Sequence, residues 1–214
     1  MIGDESAGLR SVSDIYEYFD ILTALKEKMN YLIIVAIKDT SGGEFSEDMF
    51  SKMSQLGFET NLVGKYRRSY IGIADTSGVI YEELGAKGKP LDASLFMGGC
   101  RVFIASRTYT NGDDVLIAVD GIDYAVGKRG LNIVTIDKRN MEILDSVCFD
   151  THTIYATCYR NSGYAAPRNW LQSQLRIIEN NIVKKIELLE NHIAEQDAIL
   201  KTLLDAMGNK SKND

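Results

Sequence analysis

The run Tyr31–Lys38, YLIIVAIK, constrains the fold more than any other segment. Its apolar residues are continuous and rich in β-branched side chains, which favour extended backbone. No polar residue alternates with them before Lys38, so neither face of the strand tolerates water and both must be covered. What flanks it supplies cover. Ser13-Asp14 is a helix cap, and Ile15, Tyr18, Phe19, Leu22 and Leu25 recur at helical spacing on one face of a segment running to about Met29. Ser46 caps a second helix with an acidic first turn (Glu47, Asp48) that stops at Gly57.

The rest of the globular part reads as strands: Ser69–Ala74, then Cys100–Arg107, Val115–Asp120, Ile122–Val126, Leu131–Ile136 and Glu142–Phe149. Asn111-Gly112 and Asp120-Gly121 are hairpin turn signals. Two helices followed by turn-linked strands predict an α+β fold, with mixed or antiparallel sheets flanked by two or more helices.

Charge locates a second region. The 214 residues carry a net charge of −6, all of it before Pro167; residues 168–214 balance 7 basic against 7 acidic side chains and hold one glycine, Gly208. Apolar residues recur there at Leu171, Leu175, Ile178, Ile182, Ile186, Leu189, Ile193, Leu200, Leu203 and Met207. The steps alternate between three and four, apart from a stutter at Ile182–Ile186 and the polar Gln196. A helix of this extent is roughly 55 Å long at about 1.5 Å per residue, more than a domain this size can cover. The expected partner of Leu171–Met207 is a second copy, as a dimer or trimer; the alternative is an amphipathic helix folded back on the globular part. The expected organisation is an N-terminal extension (1–12), a globular domain (13–160), a linker (161–168), a coiled-coil helix (169–208) and a disordered tail (209–214).

Composition excludes several classes. With 24 Lys+Arg against 30 Asp+Glu, a general nucleic-acid binder is not expected. No apolar run is long enough to span a membrane, and the acidic start MIGDESAGLR lacks the apolar core of a signal peptide. The expectation is a cytoplasmic or virion-associated protein, of phage or bacterial type, that does not bind membranes. Three cysteines form no disulfide framework.

Catalytic and cofactor signatures are missing. The sequence has no GxGxxG, GxxxxGK[ST], GxSxG, HExxH or CxxC motif. Gly85-x-x-Gly88 lacks the strand-to-helix setting of a phosphate cradle, and Cys148 and His152 stand too far apart on a strand to work as nucleophile and base. Asp113-Asp114 reads as turn chemistry rather than calcium ligation, and His192 as a solvated residue rather than a ligand. No enzyme, metal or cofactor is expected.

What remains are charges at strand ends. Asp39 closes YLIIVAIK, Arg67-Arg68 stand between Tyr66 and Tyr70, and Lys128-Arg129 precede Leu131–Ile136. Guanidinium forks and a carboxylate match adjacent sugar hydroxyls, and an aromatic face covers a ring, so the set reads as a polyol site. The alternative is that Asp39 merely neutralises one arginine.

Two blocks carry a resemblance. Val119–Thr151, VDGIDYAVGKRGLNIVTIDKRNMEILDSVCFDT, has a Val-Asp-Gly turn, an Arg-Gly step before an apolar strand, and a strand ending Phe-Asp-Thr. Leu32–Tyr70 has an apolar strand ending Lys38-Asp39, a helix ending Leu56-Gly57, and the step Tyr66-Arg67-Arg68-Ser69-Tyr70. Together they resemble the interleukin-like EMT inducer (PANDER-like) domain family. The blocks come in reversed order, as in a circular permutation joining the old ends near Tyr81–Phe96, or an exchange of halves between protomers. The family is similar to the stem domain of protein O-mannose N-acetylglucosaminyltransferase, a non-catalytic module that binds N-acetylglucosamine-type sugars. The resemblance implies sugar contacts at Arg129, Asp39 and Arg67, and on the polyol reading Tyr66 or Tyr70 stacks on the ring. The expected function is thus non-catalytic glycan recognition, multimerised by the C-terminal helix. The alternative is a structural or assembly protein, such as a virion component or an accessory of glycan synthesis, that uses the domain for docking.

Overall fold

A computed structural model describes residues 7–153, 156–160, 168–169, 182–183, 185–196 and 200–201. The chain divides into two units, residues 1–174 and 175–214.

In the first unit, α1 (Ala7–Ser11) and α2 (Ile15–Leu25) precede β1 (Tyr31–Lys38) and α3 (Glu47–Gln55). Then come β2 (Arg68–Asp75), β3 (Gly78–Lys87), β4 (Leu91–Met97), β5 (Cys100–Ser106), β6 (Val115–Val119), β7 (Ile122–Asp123), β8 (Gly130–Asp137), β9 (Glu142–Asp150), β10 (Thr157–Arg160) and β11 (Arg168–Asn169). They form a six-stranded sheet, β10-β9-β8-β1-β2-β3, and a five-stranded sheet, β11-β7-β6-β5-β4. All strand pairings within the sheets are antiparallel.

The unbroken apolar run of β1 is explained by its place between two cores. Tyr31, Ile33, Val35 and Ile37 pack toward the helices, with Tyr18, Phe19 and Leu22 of α2 and Met49 and Met53 of α3. Leu32, Ile34 and Ala36 pack toward the second sheet, with Val102, Ile104, Val115 and Ile117. Helices, large sheet and small sheet are three layers, and β1 is central to the middle one. Asp14 caps α2, its carboxylate accepting from the Tyr16 and Glu17 N–H groups at 2.9 Å, and Ser46 caps α3 by accepting from Met49 N–H.

Several boundaries differ from the sequence expectation. The packed part begins before residue 13, inside the expected extension: Leu9 and Val12 are buried in the helix-side core. The Leu9 carbonyl accepts from Arg160 at 2.6 Å, and Arg10 Nε donates to the Leu144 carbonyl at 2.8 Å. Arg168–Asn169 pairs with Ile122–Asp123 and so belongs to a sheet, not to a linker or a helix start. The sequence reading places no strand between Ala74 and Cys100, yet β3 and β4 lie there. Each is the outer strand of its sheet, half exposed, so the apolar pattern that marks buried strands is diluted. Asn111-Gly112 is a 3-10 turn inside a longer β5–β6 connection, whereas Asp120-Gly121 is a tight hairpin turn with both residues at positive φ (47° and 81°).

In the second unit, 182–183, 185–196 and 200–201 are helical and exposed. Ile182, Ile186, Leu189, Ile193 and Leu200 each expose about half of their surface or more. The coiled-coil positions Leu171, Leu175, Ile178, Leu203 and Met207, and the expected tail 209–214, lie outside the described residues.

Candidate functional site

The end of β1, the start of β8 and the end of β9 meet at one edge of the large sheet, because Lys38 pairs with Gly130 and Leu131 with Phe149. Gly130 makes this junction possible. Its φ is +103°, and a Cβ there would overlap the Phe149 carbonyl.

The small sheet is stitched to the same edge. Ser106 Oγ donates to the Ile37 carbonyl at 2.6 Å and accepts from Tyr70 N–H at 3.1 Å. Asp39 N–H donates to the Arg107 carbonyl at 2.8 Å. Asp39 is the centre of a three-residue turn closed by Thr40 N–H on the Lys38 carbonyl (2.8 Å), and its φ is +64°. A positive φ at a non-glycine residue is strained, and here it aims Asp39 away from the strand direction.

The result is a cleft of about 310 Å³ lined by Lys38, Asp39, Asp113, Lys128, Arg129, Asp150 and Tyr159. Arg129 grips Asp150 through two contacts, Nε to Oδ1 at 3.1 Å and a terminal nitrogen to Oδ2 at 2.8 Å. The Asp150 bond raises the guanidinium's affinity for its proton against the opposing effect of burial, and the charge of Asp39 adds to it. Asp150 also accepts from the His152 N–H at 3.1 Å. Lys38 Nζ donates to the Gly127 carbonyl at 3.2 Å, and Lys128 Nζ lies 5.9 Å from the centre of the Tyr159 ring. The cleft thus offers carboxylate acceptors, cationic donors and a partly exposed aromatic ring.

Of the expected site residues, Asp39 and Arg129 line this cleft. Arg67 is adjacent to it: its backbone N–H donates to Thr40 Oγ1 at 3.2 Å, and its guanidinium sits between the rings of Tyr66 (5.1 Å) and Tyr109 (5.6 Å). Tyr109 N–H in turn donates to Asp39 Oδ1 at 3.3 Å. Tyr66 is exposed beside the cleft rather than in it. Tyr70 is a correction. It is fully buried, its hydroxyl donates to Glu82 Oε1 at 2.6 Å, and it has no face to offer a ligand.

The sequence reading missed Asp113, Asp150 and Tyr159 as cleft residues. Asp150 had one usable signal, a carboxylate at a strand end like Asp39; Tyr159 had none, since β10 is short and half exposed.

Cys148 is buried, and burial pushes its thiol far above the usual range, so it has no nucleophilic character at neutral pH. Cys100, Cys148 and Cys158 are all free thiols. Among the described residues no group of His, Cys, Asp and Glu is placed to hold a metal ion, and no helix is long and apolar enough to cross a membrane. No family model, curated protein or solved structure matches this chain.

Proposed function

We propose that the cleft is a non-catalytic glycan site, presented in several copies by self-association through the C-terminal helix. The observation that carries the reading is the opposition of Asp39 and Arg129 in one cleft walled by Tyr159. Asp39 accepts from sugar hydroxyls, Arg129 donates to hydroxyls or to an acetamido carbonyl, and the ring covers an apolar sugar face. Asp150 grips Arg129 with both of its oxygens and so orients the donor. A single shallow sugar site binds near millimolar, about −4 kcal/mol. Joining several sites on one stalk multiplies that affinity without new contacts.

The test is a titration of N-acetylglucosamine oligosaccharides into wild type and Arg129→Ala, followed by amide chemical shifts. Saturable shifts centred on Asp39 and Tyr159 in the wild type, lost in the variant, are expected. Identical spectra for both proteins at tens of millimolar sugar would sink the reading.

The exposed apolar residues Ile182, Ile186, Leu189 and Ile193 also favour a second reading, an assembly protein in which the helix is the essential part. Removing residues 175–214 separates the two. A glycan binder keeps its weak monomeric site, and an assembly protein loses its function entirely.

A further inference from the structure

Beside the cleft Arg67, one of the expected sugar contacts, stands with three further cations that the glycan reading leaves unused. Arg68 at the start of β2 lies opposite Lys87 at the end of β3. The turn after β3 folds back onto the same place: Gly88 N–H donates to the Arg67 carbonyl at 3.2 Å, and Ser69 Oγ donates to the Lys89 carbonyl at 2.7 Å. Arg67, Arg68, Lys87 and Lys89 are thereby held together at one edge of the sheet. Among the described residues none of the four has an acid within ion-pair distance. Lys87 and Lys89 are exposed, and Arg67 and Arg68 are half-buried.

This arrangement costs stability. Like charges directly opposite on paired strands repel. Arg67 adopts φ +53°, and its Nε is buried with no hydrogen-bond partner among the described residues. Its guanidinium carbon lies 5.1 Å and 5.6 Å from the ring centres of two exposed tyrosines, Tyr66 and Tyr109, contacts that hold a planar donor without neutralising it. A guanidinium without an ion pair among the described residues, on backbone adjoining that of three further cations in a protein of net charge −6, is the footing for a bound anion. The cluster is continuous with the cleft, because Tyr109 N–H bonds Asp39 and Arg67 N–H bonds Thr40.

We propose that Arg67, Arg68, Lys87 and Lys89 form an acid-group subsite, so that the ligand is an anionic glycan bearing carboxylate or sulfate groups, its neutral ring in the cleft and its acid on these cations. The proposal rests on the glycan reading of the cleft. A saccharide is favoured over a nucleic acid because the adjoining cleft balances Asp39, Asp113 and Asp150 against Lys38, Lys128 and Arg129, so the cations do not continue into the unbroken basic track that a phosphate backbone needs.

The experiment is calorimetric titration of the full chain with three matched ligands: chitotetraose, its 6-O-sulfated form and its 6-carboxyl form. A decauridylate serves as the polyanion comparison, and Lys87→Ser/Lys89→Ser as the variant. At about 25 mM salt at least one acidic ligand is expected to bind about tenfold more tightly than chitotetraose. The sulfated and carboxylated arms show which acid is preferred. That gap is expected to close in the double variant and at about 300 mM salt, with chitotetraose affinity unchanged throughout. Equal affinity for all three saccharides overturns the acid subsite while leaving the glycan site standing. A gap that survives the double substitution overturns it as well, as does decauridylate binding as tight as the sulfated ligand. If no saccharide binds, chitotetraose included, the cleft reading fails and takes the subsite with it.

Discussion

Arg129 and Asp150 form a two-pronged ion pair in which the acid is the buried partner, with side-chain exposures of 40% for the arginine and 8% for the aspartate. The carboxylate is therefore the fixed element and the guanidinium is presented by it. Asp150→Asn removes the charge but keeps the shape. Glycan affinity is expected to fall about tenfold and stability by about 1–2 kcal/mol, read by sugar titration and urea denaturation. Wild-type affinity in this variant would mean that Arg129 needs no help to face the cleft.

Gly130 is where β8 turns into the cleft, and no other residue fits there. Gly130→Ala combines a positive φ with overlap onto the Phe149 carbonyl. The expected loss is roughly 2–4 kcal/mol, measured as a drop in the urea midpoint. Gly43, which follows the turn at Asp39, has open space where a Cβ would stand. Gly43→Ala should cost less than about 1 kcal/mol, and equal losses at the two sites would contradict the junction described above.

Asp137 gives the fold an acid-sensitive contact at the far end of β8. The side-chain hydrogen bond from Arg139 holds its carboxyl below the usual carboxylate range, with the Arg139 backbone N–H helping and burial opposing. A folded-state value below the unfolded one gives stability that is complete above the unfolded carboxylate range and is lost as pH falls through the lower folded value. Asp137→Asn is expected to be about 1 kcal/mol less stable than wild type at pH 7, a modest figure because Arg139 is largely exposed. The difference should shrink as pH falls through the lower folded value. A constant difference from pH 7 down to pH 2 would show that shape, not charge, carries the contact.

The helical residues of the second unit yield a test of self-association. Ile186→Asp together with Ile193→Asp places charge on two exposed apolar positions of the expected seam. Native mass spectrometry is expected to find an oligomer for the wild type and a monomer for the variant, with per-site glycan affinity unchanged and avidity on a glycan-coated surface reduced about 100-fold. A wild-type monomer at micromolar concentration would remove multivalency from the functional reading.

Local rules carried much of the fold. The buried face of α2, the caps Asp14 and Ser46 and the double burial of β1 were all legible, because each depends on residues within one or two turns of each other. Asp39 and Arg129 were legible for a similar reason: a charge that directly follows or precedes an apolar strand has to emerge at that strand's end. Edge strands β3 and β4 were not, since half-exposed strands carry little apolar pattern.

Tyr66 and Tyr70 mark where sequence reasoning stops. Both flank the arginine pair and look equivalent as a string, yet Tyr66 is 46% exposed while Tyr70 is fully buried. Alternation along β2 turns Tyr70 toward the helix-side core, where Glu82 receives its hydroxyl. The cleft has the same character. Asp113, Asp150 and Tyr159 reach Asp39 only because Ser106 and the Arg107 carbonyl fasten the small sheet to the end of β1, and because the β8–β9–β10 pairing returns to the same edge. The sequence by itself determined which strand needed cover on both faces and which charges ended it. Which side chains share a cleft was decided by register and sheet-to-sheet contact, since both join residues far apart in the chain through interactions that leave no periodic trace along it.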